Sequence, residues 1–393
     1  MARRVLTSSC AFAAVIAVGS IGSARLTSQT PALALRASAD KSSLAADSSL
    51  QAADGTQGSQ NGARSQQPEA RNRDARKFVA PRTPWDDPDI QGNFTNLYEV
   101  GTPFERPEEY AGKKLEDVNL DELKRQRIAI QERTRAEQLA GEIGGTRWIW
   151  LDSLDHARGT SAWFVVDPPD GKIPPLTPEG QRRVAARAEA RRASGRGPAD
   201  SYEDRSLYDR CITRGMPGSM MPVIYGNSYQ IVQGQGFVAI RIEMIHETRI
   251  IPLDGRPHVG KGLKLDMGDA RGHWEGNTLV VETTNFRERS AYRNGNPEVM
   301  KIVERFTRYA PDKVRWAVSV EDGTTWTRPW TFAMPLTMSD NEPLMPYECH
   351  EGNYAMPNIL GGARAEEKAI EEAAKKGITL APRTIPTGAE GER

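Results

Sequence analysis

The C-terminal half of the chain alternates hydrophobic and polar residues in short runs that are separated by turn residues. Valine, isoleucine, threonine and aromatic residues dominate these runs, which is typical of strands with one buried face. Glycine, proline, aspartate or asparagine recurs at the ends of the runs, where reverse turns are expected. The pattern predicts strands over residues 228–233, 237–246, 248–253, 277–286, 301–309, 314–321 and 324–334.

Consecutive strands joined by short turns form an antiparallel meander. We expect this meander to close into a lipocalin-like barrel or to form a strongly curved sheet, because both arrangements protect the unpaired edges of a sheet. The fold class is therefore mainly β, with a barrel domain over residues 228–362. Alternation also predicts the residues of the inner face, which are Val314, Trp316, Val318, Val320, Trp326, Trp330, Phe332 and Met334.

Residues 79–227 are predicted to pack on the barrel as an extended arm and peripheral helices. Residues 79–113 are rich in proline, and residues 115–139 carry a broken apolar stripe that is typical of a surface helix. Thr177 and Pro178 fit the N-cap and the first position of a second helix.

The helix that follows Thr177 is strongly basic. We interpret its arginines as a solvated face and not as an RNA-binding surface, because no aromatic residues that stack on bases lie among them. These arginines are Arg182, Arg183, Arg187, Arg191 and Arg192. A charged run over 363–376, ended by Gly377, predicts a last helix, so that residues 363–393 form a C-terminal helix and tail.

Residues 1–34 have the features of a secretory signal peptide. Two arginines precede an apolar run of 11 residues at 11–21, which is too short to span a bilayer. Small residues place the cleavage site after Ala24 or after Ala34, and an uncleaved N-terminal anchor is the alternative. Residues 35–78 contain almost no large apolar side chain and are predicted to be a disordered linker. The expected location is periplasmic or secreted.

The chain has three cysteines, and cleavage of the signal removes Cys10. Cys211 and Cys349 remain, and two thiols in an oxidising compartment usually pair. We therefore predict a disulfide between them. Two buried free thiols are the alternative.

Composition limits the partners of the protein. The 52 basic and 52 acidic residues balance, so that bulk attraction to nucleic acid or to an anionic membrane is not expected. No apolar run of membrane-spanning length follows the N-terminus, and no stable membrane insertion is predicted after signal cleavage. Only 38% of the residues are hydrophobic, which indicates that part of the chain lies outside the core.

Several short motifs between residues 85 and 365 carry a resemblance to known proteins. They are 89–94 (DIQGNF), 102–107 (TPFERP), 166–171 (VDPPDG), 243–246 (EMIH) with His258, 271–276 (RGHWEG) and 349–354 (CHEGNY). With these motifs the chain resembles a family of exported bacterial proteins of uncharacterised function, common in acidobacteria and proteobacteria. The run from Trp274-Glu275-Gly276 into 279–282 (LVVE) also resembles strand pairs of lipocalin-like (calycin) barrels. Neither resemblance implies a known reaction.

Four of the five histidines lie in the strand-rich half, beside acidic residues. We predict that His246 ends a strand with its side chain inward, at the mouth of an apolar pocket, where burial keeps the imidazole neutral and able to act as a base. Glu243, or His350 with Glu351, completes the predicted catalytic set. A hydrogen-bonded core histidine is the plainer alternative to this role.

A convergence of three or more histidines on a metal is a further alternative, whereas the prediction is that there is no metal site and no cofactor. The 349–354 motif is dense in functional side chains. A disulfide at Cys349 either preorganises this motif as part of a site or is only a structural cross-link beneath a surface loop. The predicted substrate-binding residues are Tyr229, Arg249, Trp274, Asn353 and Tyr354.

These residues lead to three hypotheses of function. The first is an exported enzyme that acts by acid–base chemistry on a small, largely apolar molecule, as a lyase, isomerase or hydrolase. The second is a non-catalytic protein of the cell envelope that binds a hydrophobic ligand, and the third is a structural envelope protein without a pocket. Aromatic side chains that fill the inner face would weaken the first two.

Overall fold

A computed structural model of the chain describes residues 78–140, 161–223, 225–339 and 344–380. At His246, Gln131 and residues 134–140 it describes the backbone alone. The predicted signal peptide, nearly all of the predicted linker and the end of the predicted C-terminal tail lie outside the described residues.

Among these residues, ten strands form one antiparallel sheet. The strands are β1 (Gly92–Thr95), β2 (Val165–Asp167), β3 (Ser228–Gly234), β4 (Phe237–Ile242), β5 (Thr248–Pro252), β6 (Asp269–Glu275), β7 (Thr278–Thr284), β8 (Lys301–Ala310), β9 (Lys313–Glu321) and β10 (Trp330–Met338). The mainly β fold class is thus confirmed.

The sheet is strongly curved but is not a closed barrel. Its hydrogen-bonded order runs β5-β4-β3-β1-β10-β9-β8-β7-β6, and β2 pairs with β10 beside this path. The two edge strands, β5 and β6, lie next to each other without forming a ladder. A Cβ added at Gly272 of β6 would lie 2.8 Å from Ile251 Cγ2 of β5 and 2.7 Å from Leu253 Cδ2. The strongly curved alternative therefore describes this sheet, and the closed barrel does not.

The inner face of the sheet is packed with large side chains. Every residue predicted for this face is buried, including Trp316 and Trp330, which are fully inaccessible to solvent. Trp330 packs against Trp326 with ring centroids 5.7 Å apart, and Phe332 packs edge-on against Trp316 at the same separation. Because each aromatic side chain buries a large apolar area, this face supplies much of the hydrophobic stabilisation of the fold.

The N-terminal arm contributes a strand to the middle of the sheet. β1 lies between β3 and β10, with Phe94 opposite both Tyr229 and Met338. The sequence predicted instead that this part of the extended arm packs on the outside of the barrel. Four residues are too few for a clear alternating pattern, and the two partner strands are far away in the sequence.

The described residues form three α-helices: α1 (Leu120–Ala140), α2 (Pro178–Ala193) and α3 (Ala355–Lys375). Thr177 caps α2, because its hydroxyl accepts a hydrogen bond from Gly180 N at 3.0 Å, as the sequence predicted. α3 begins eight residues before its predicted start at 363. In the described parts of the chain, no helix is long and apolar enough to cross a membrane.

Candidate anion-binding cleft

The predicted catalytic residues lie where β4 ends. β4 ends at Ile242, earlier than predicted, and Met244–His246 form a turn of 3-10 helix in which Ile245 has φ of 58°. The side chain of His246 lies outside the described atoms. Glu243 is half-buried, and its carboxylate accepts a hydrogen bond from Ser228 N at 3.1 Å. Glu243 thus holds the start of β3, and its catalytic role stays a prediction.

Two of the predicted substrate-binding residues are buried in the inner face. The Tyr229 hydroxyl donates to Asn96 Oδ1 at 3.2 Å, and burial raises the pKa of this phenol. Arg249 forms a two-pronged ion pair with Glu304, with one of the two bonds at 3.0 Å. Trp316 Nε1 donates to the same carboxylate at 3.0 Å. The Arg249 guanidinium is therefore engaged by protein groups.

The 349–354 segment lies next to the loop that carries Cys211. The predicted disulfide between Cys211 and Cys349 is confirmed. Asn353 Nδ2 donates to the backbone oxygen of Asp209 at 2.9 Å, which ties the two segments together a second time. The remaining residues of the motif, His350, Glu351 and Tyr354, are exposed. Their predicted roles in catalysis and binding stay predictions.

Trp274, the last predicted substrate-binding residue, is half-buried and packs against the main core. Its indole N–H is buried and makes no hydrogen bond to the described residues. Its predicted role also stays untested.

The other histidines of the sheet are paired with carboxylates. His258 lies between Asp269, at 2.9 Å, and Glu282, at 3.3 Å. His273 lies 3.2 Å from Glu275. Across the described residues, no group of three or more His, Cys, Asp or Glu side chains is arranged to hold a metal ion.

A cleft in the described structure is formed by segments outside the strands of the sheet. Three segments form it: the C-terminal half of α2 with its extension to Arg196, residues 203–216, and residues 288–294. Its volume is about 460 Å³. Buried residues of the middle segment, Thr213, Gly215 and Met216, form the floor.

Arginines dominate the lining of this cleft. Seven arginines and three carboxylates line it. The arginines are Arg187, Arg191, Arg196, Arg205, Arg214, Arg289 and Arg293, and the carboxylates are Glu203, Asp204 and Glu288. A chain with no net charge thus concentrates positive charge at one concave site.

Several of these arginines are held by acidic residues. Arg187 donates to Glu288 at 3.2 Å, and Arg196 donates to Asp204 at 2.8 Å. The buried Arg205 pairs with Asp209 at 2.9 Å. These ion pairs fix the positions of the guanidinium groups, because a paired side chain has fewer accessible rotamers.

Three further arginines, Arg191, Arg289 and Arg293, form no ion pair with any described residue. Arg191 is an exposed residue near the end of α2. Arg289 donates to the backbone oxygen of Glu203 at 2.8 Å. The Arg293 guanidinium lies 4.4 Å from the ring centre of Phe104, and such stacking orients the cation without neutralising it. These three groups retain their charge for a ligand.

Tyrosines form one side of the cleft region. Tyr208 lines the cleft, and its hydroxyl oxygen lies 3.2 Å from the hydroxyl oxygen of Tyr225. Tyr225 in turn stacks on Tyr347, with ring centroids 6.1 Å apart. The guanidinium of Arg214 lies 5.2 Å from the ring centre of Tyr208. Burial raises the pKa of Tyr347 to about 12, and burial also raises the pKa of Tyr208. Both phenols therefore stay protonated near neutral pH.

A half-buried carboxyl lies behind the cleft floor. Glu247 Oε2 accepts hydrogen bonds from the hydroxyls of Thr213, at 2.9 Å, and Ser219, at 3.0 Å. Burial is the main reason that the pKa of Glu247 is raised, and the nearby charge of Asp266 adds to the effect. Thr213 connects this carboxyl to the cleft.

Sequence reasoning did not identify this cleft. It interpreted the arginines of α2 as a solvated face. Arg182, Arg191 and Arg192 are exposed, whereas Arg187 is half-buried, and both Arg187 and Arg191 also line the cleft. Glu247 was overlooked beside His246. The available signal was the density of arginines in each of three separate segments, and the pattern of one segment does not show that it meets the others.

Comparisons with known proteins identify no family. No protein-family model matches the chain, and no curated protein matches it. The chain has a weak likeness to the crystal structure of a "secretary abundant heat soluble (SAHS) protein" from Ramazzottius varieornatus. The identity is 12%, the match covers 34% of this chain and 87% of that chain, and the TM-score is 0.20. A likeness at this level carries no argument about fold or function, so the lipocalin-like resemblance stays a prediction.

Proposed function

We propose that this protein binds a small molecule with two or more anionic groups (carboxylate, phosphate or sulfate) in the arginine-lined cleft. The observation that carries the proposal is the excess of seven arginines over three carboxylates around one concavity. A guanidinium presents a planar fork of N–H donors that matches the oxygens of these groups, and it stays charged at any physiological pH.

The size of the cleft favours a small ligand over a polymer. Its volume of about 460 Å³ lies in the usual range of small-molecule pockets. A polyanion such as a nucleic acid would instead need an extended basic surface, and the charge of the whole chain is zero. The ligand that fits is a compact molecule whose anionic groups reach several arginines at once.

We further propose that the protein works in an oxidising compartment, either periplasmic or secreted. The disulfide between Cys211 and Cys349 supports this location, because cytosolic proteins rarely retain such bonds. The signal-like pattern of residues 1–34 supports it as well.

The two hypotheses of an apolar ligand have less support. The inner face of the sheet, where that ligand was expected, is filled by residues such as Trp316, Trp330 and Phe332. The acid–base enzyme stays a prediction, since the side chain of its central residue, His246, lies outside the described atoms.

Isothermal titration calorimetry of the disulfide-bonded protein tests the proposed function. Sulfate, pyrophosphate and citrate serve as probes, and chloride at equal ionic strength is the reference. We expect saturable binding of at least one multivalent probe. Arg191→Gln should weaken it by roughly tenfold, because a hydrogen bond to a charged group contributes about 1.5 kcal/mol.

Arg182→Gln is the matched control for this substitution. Arg182 lies on the same helix, is exposed and does not line the cleft. The Arg182→Gln variant should bind the probe as tightly as the unmodified protein does. Equal losses in both variants, or no saturable binding of any probe, would show that the cleft is not an anion site.

A further inference from the structure

We propose that Glu247 is a positioning residue for the cleft. Glu247 holds the cleft floor in place through Thr213, and the charge of its carboxylate sets how tightly the cleft binds an anion. The inference rests on the proposed function and deepens it, because it names the group that regulates the site. Glu247 itself is not part of the cleft lining.

A continuous chain of hydrogen bonds joins Glu247 to the floor. The Thr213 hydroxyl donates to Glu247 Oε2 at 2.9 Å and accepts from Gly215 N at 2.8 Å. Thr213 and Gly215 both line the cleft. A hydroxyl has one hydrogen, so its donation to the carboxylate leaves its lone pairs facing the Gly215 amide. The carboxylate thereby fixes the backbone of the turn that forms the floor.

Ser219 strengthens the same anchor from the next turn. Its hydroxyl donates to Glu247 Oε2 at 3.0 Å. Two donors thus hold one carboxylate oxygen. The second oxygen, Oε1, has no hydrogen-bond partner in the described part of the chain, so that a proton can reside there without breaking either bond.

The charged groups near Glu247 act in opposite directions. Asp266 disfavours the carboxylate, whereas Arg249 favours it. Much of the Arg249 charge is already compensated by its ion pair with Glu304. Burial is the largest influence, and it raises the pKa of Glu247 above the usual range of a glutamate. Proton uptake at this site therefore begins at a milder pH than at an exposed glutamate.

The sign of the effect on binding follows from Coulomb's law. The ionised carboxylate places a negative charge next to the cleft and opposes a bound anion. Protonation removes that charge, so affinity rises as the pH falls through the Glu247 pKa. For one charge a few ångströms behind the floor, in a partly solvated site, the gain is roughly threefold to tenfold.

The experiment measures sulfate affinity by calorimetry between pH 4.5 and 8, a range chosen because sulfate stays divalent throughout it. The unmodified protein should bind sulfate roughly threefold to tenfold more tightly at pH 4.5 than at pH 8. Glu247→Gln keeps an acceptor for Thr213 but has no charge, so it should bind as tightly at pH 8 as the unmodified protein does at pH 4.5, with most of the pH dependence lost.

Two further variants separate position from charge. Thr213→Val breaks the hydrogen-bond chain but leaves the carboxylate, so it should weaken binding at every pH and keep the pH dependence. His246→Gln is measured in parallel because this residue adjoins Glu247 in the chain and the ordinary pKa of a histidine lies inside the pH range of the experiment. Thermal unfolding of each variant confirms that it is folded.

The outcomes distinguish the two proposals. If unmodified protein binds no sulfate at any pH while citrate and pyrophosphate also fail to bind, the proposed function is wrong. If sulfate binds but Glu247→Gln has the same pH profile as the unmodified protein, only the role of Glu247 is wrong. The same conclusion follows if the pH dependence disappears in His246→Gln and persists in Glu247→Gln.

Discussion

Two carboxyl groups, Glu304 on β8 and Glu247 just before β5, have opposite environments. Glu304 is completely buried and receives the Arg249 guanidinium and the Trp316 indole N–H. Glu247 is half-buried and receives only neutral hydroxyl donors, and its pKa is raised. The first carboxyl thus has charged and neutral donors around it, whereas burial among neutral donors raises the pKa of the second above the usual range of a glutamate.

The buried ion pair leads to a prediction about stability. Glu304→Leu leaves the Arg249 guanidinium buried and unpaired, so we expect the free energy of unfolding to fall by about 3–5 kcal/mol. The double variant Arg249→Met with Glu304→Leu should recover most of the lost stability, because no buried charge remains uncompensated. Urea denaturation followed by tryptophan fluorescence measures both.

An exposed ion pair provides the control. Glu275 accepts from Arg305 at 2.8 Å on the surface, and Glu275→Gln should leave the stability nearly unchanged, because solvent screens this pair. A loss in the double variant as large as in Glu304→Leu would contradict the explanation by an unpaired charge.

At the scale of elements, the contact between β5 and β6 determines the shape of the sheet. These strands end the hydrogen-bonded order, and β6 approaches β5 at a residue without a side chain, Gly272. The close approach lets Ile251 and Leu253 cover the seam between the edges. Side chains, and not backbone hydrogen bonds, thus connect the two ends of the sheet.

Gly272→Ala tests this packing. Its Cβ would lie 2.8 Å from the buried, branched Ile251 side chain, which has little room to move. We expect a loss of about 1–3 kcal/mol, as is typical of an overpacked core, measured by urea unfolding. Gly323→Ala is the control, since no atom lies within 4 Å of a Cβ added there, and it should change stability by less than about 0.5 kcal/mol. Equal effects at both glycines would argue against a packed seam.

For the whole molecule, the disulfide connects the cleft to the C-terminal segment. Cys211 and Cys349 are 138 residues apart, and Cys211 lies two residues before Thr213 of the cleft floor. Asn353 binds the same loop through the Asp209 carbonyl. The C-terminal segment before α3 therefore supports the floor from outside the sheet.

Replacement of both cysteines by serine should lower the stability of the molecule. On the chain-entropy model a loop of this length contributes roughly 4–5 kcal/mol, and calorimetric unfolding with and without the bond measures the difference. We also expect weaker sulfate binding, because the floor loses a covalent anchor. An unchanged unfolding temperature together with unchanged binding would show that the bond supports neither the fold nor the cleft.

Features that depend on local pattern were predictable from the sequence alone. Period-two alternation identified the inner face from Val314 to Val320, the Thr177-Pro178 pair predicted the start of α2, and the count of cysteines outside the predicted signal peptide predicted the disulfide. Each of these follows from neighbours in the chain or from a simple count.

Which segments meet became evident from the folded chain and not from the residue pattern. The place of β1 between β3 and β10, the pairing of Arg249 with Glu304 and the convergence of arginines from three segments all join residues that are far apart in sequence. A residue pattern shows which side of an element is buried, but it does not show which element covers that side. The inner face was therefore predictable residue by residue, whereas the cleft exists only once the chain has folded.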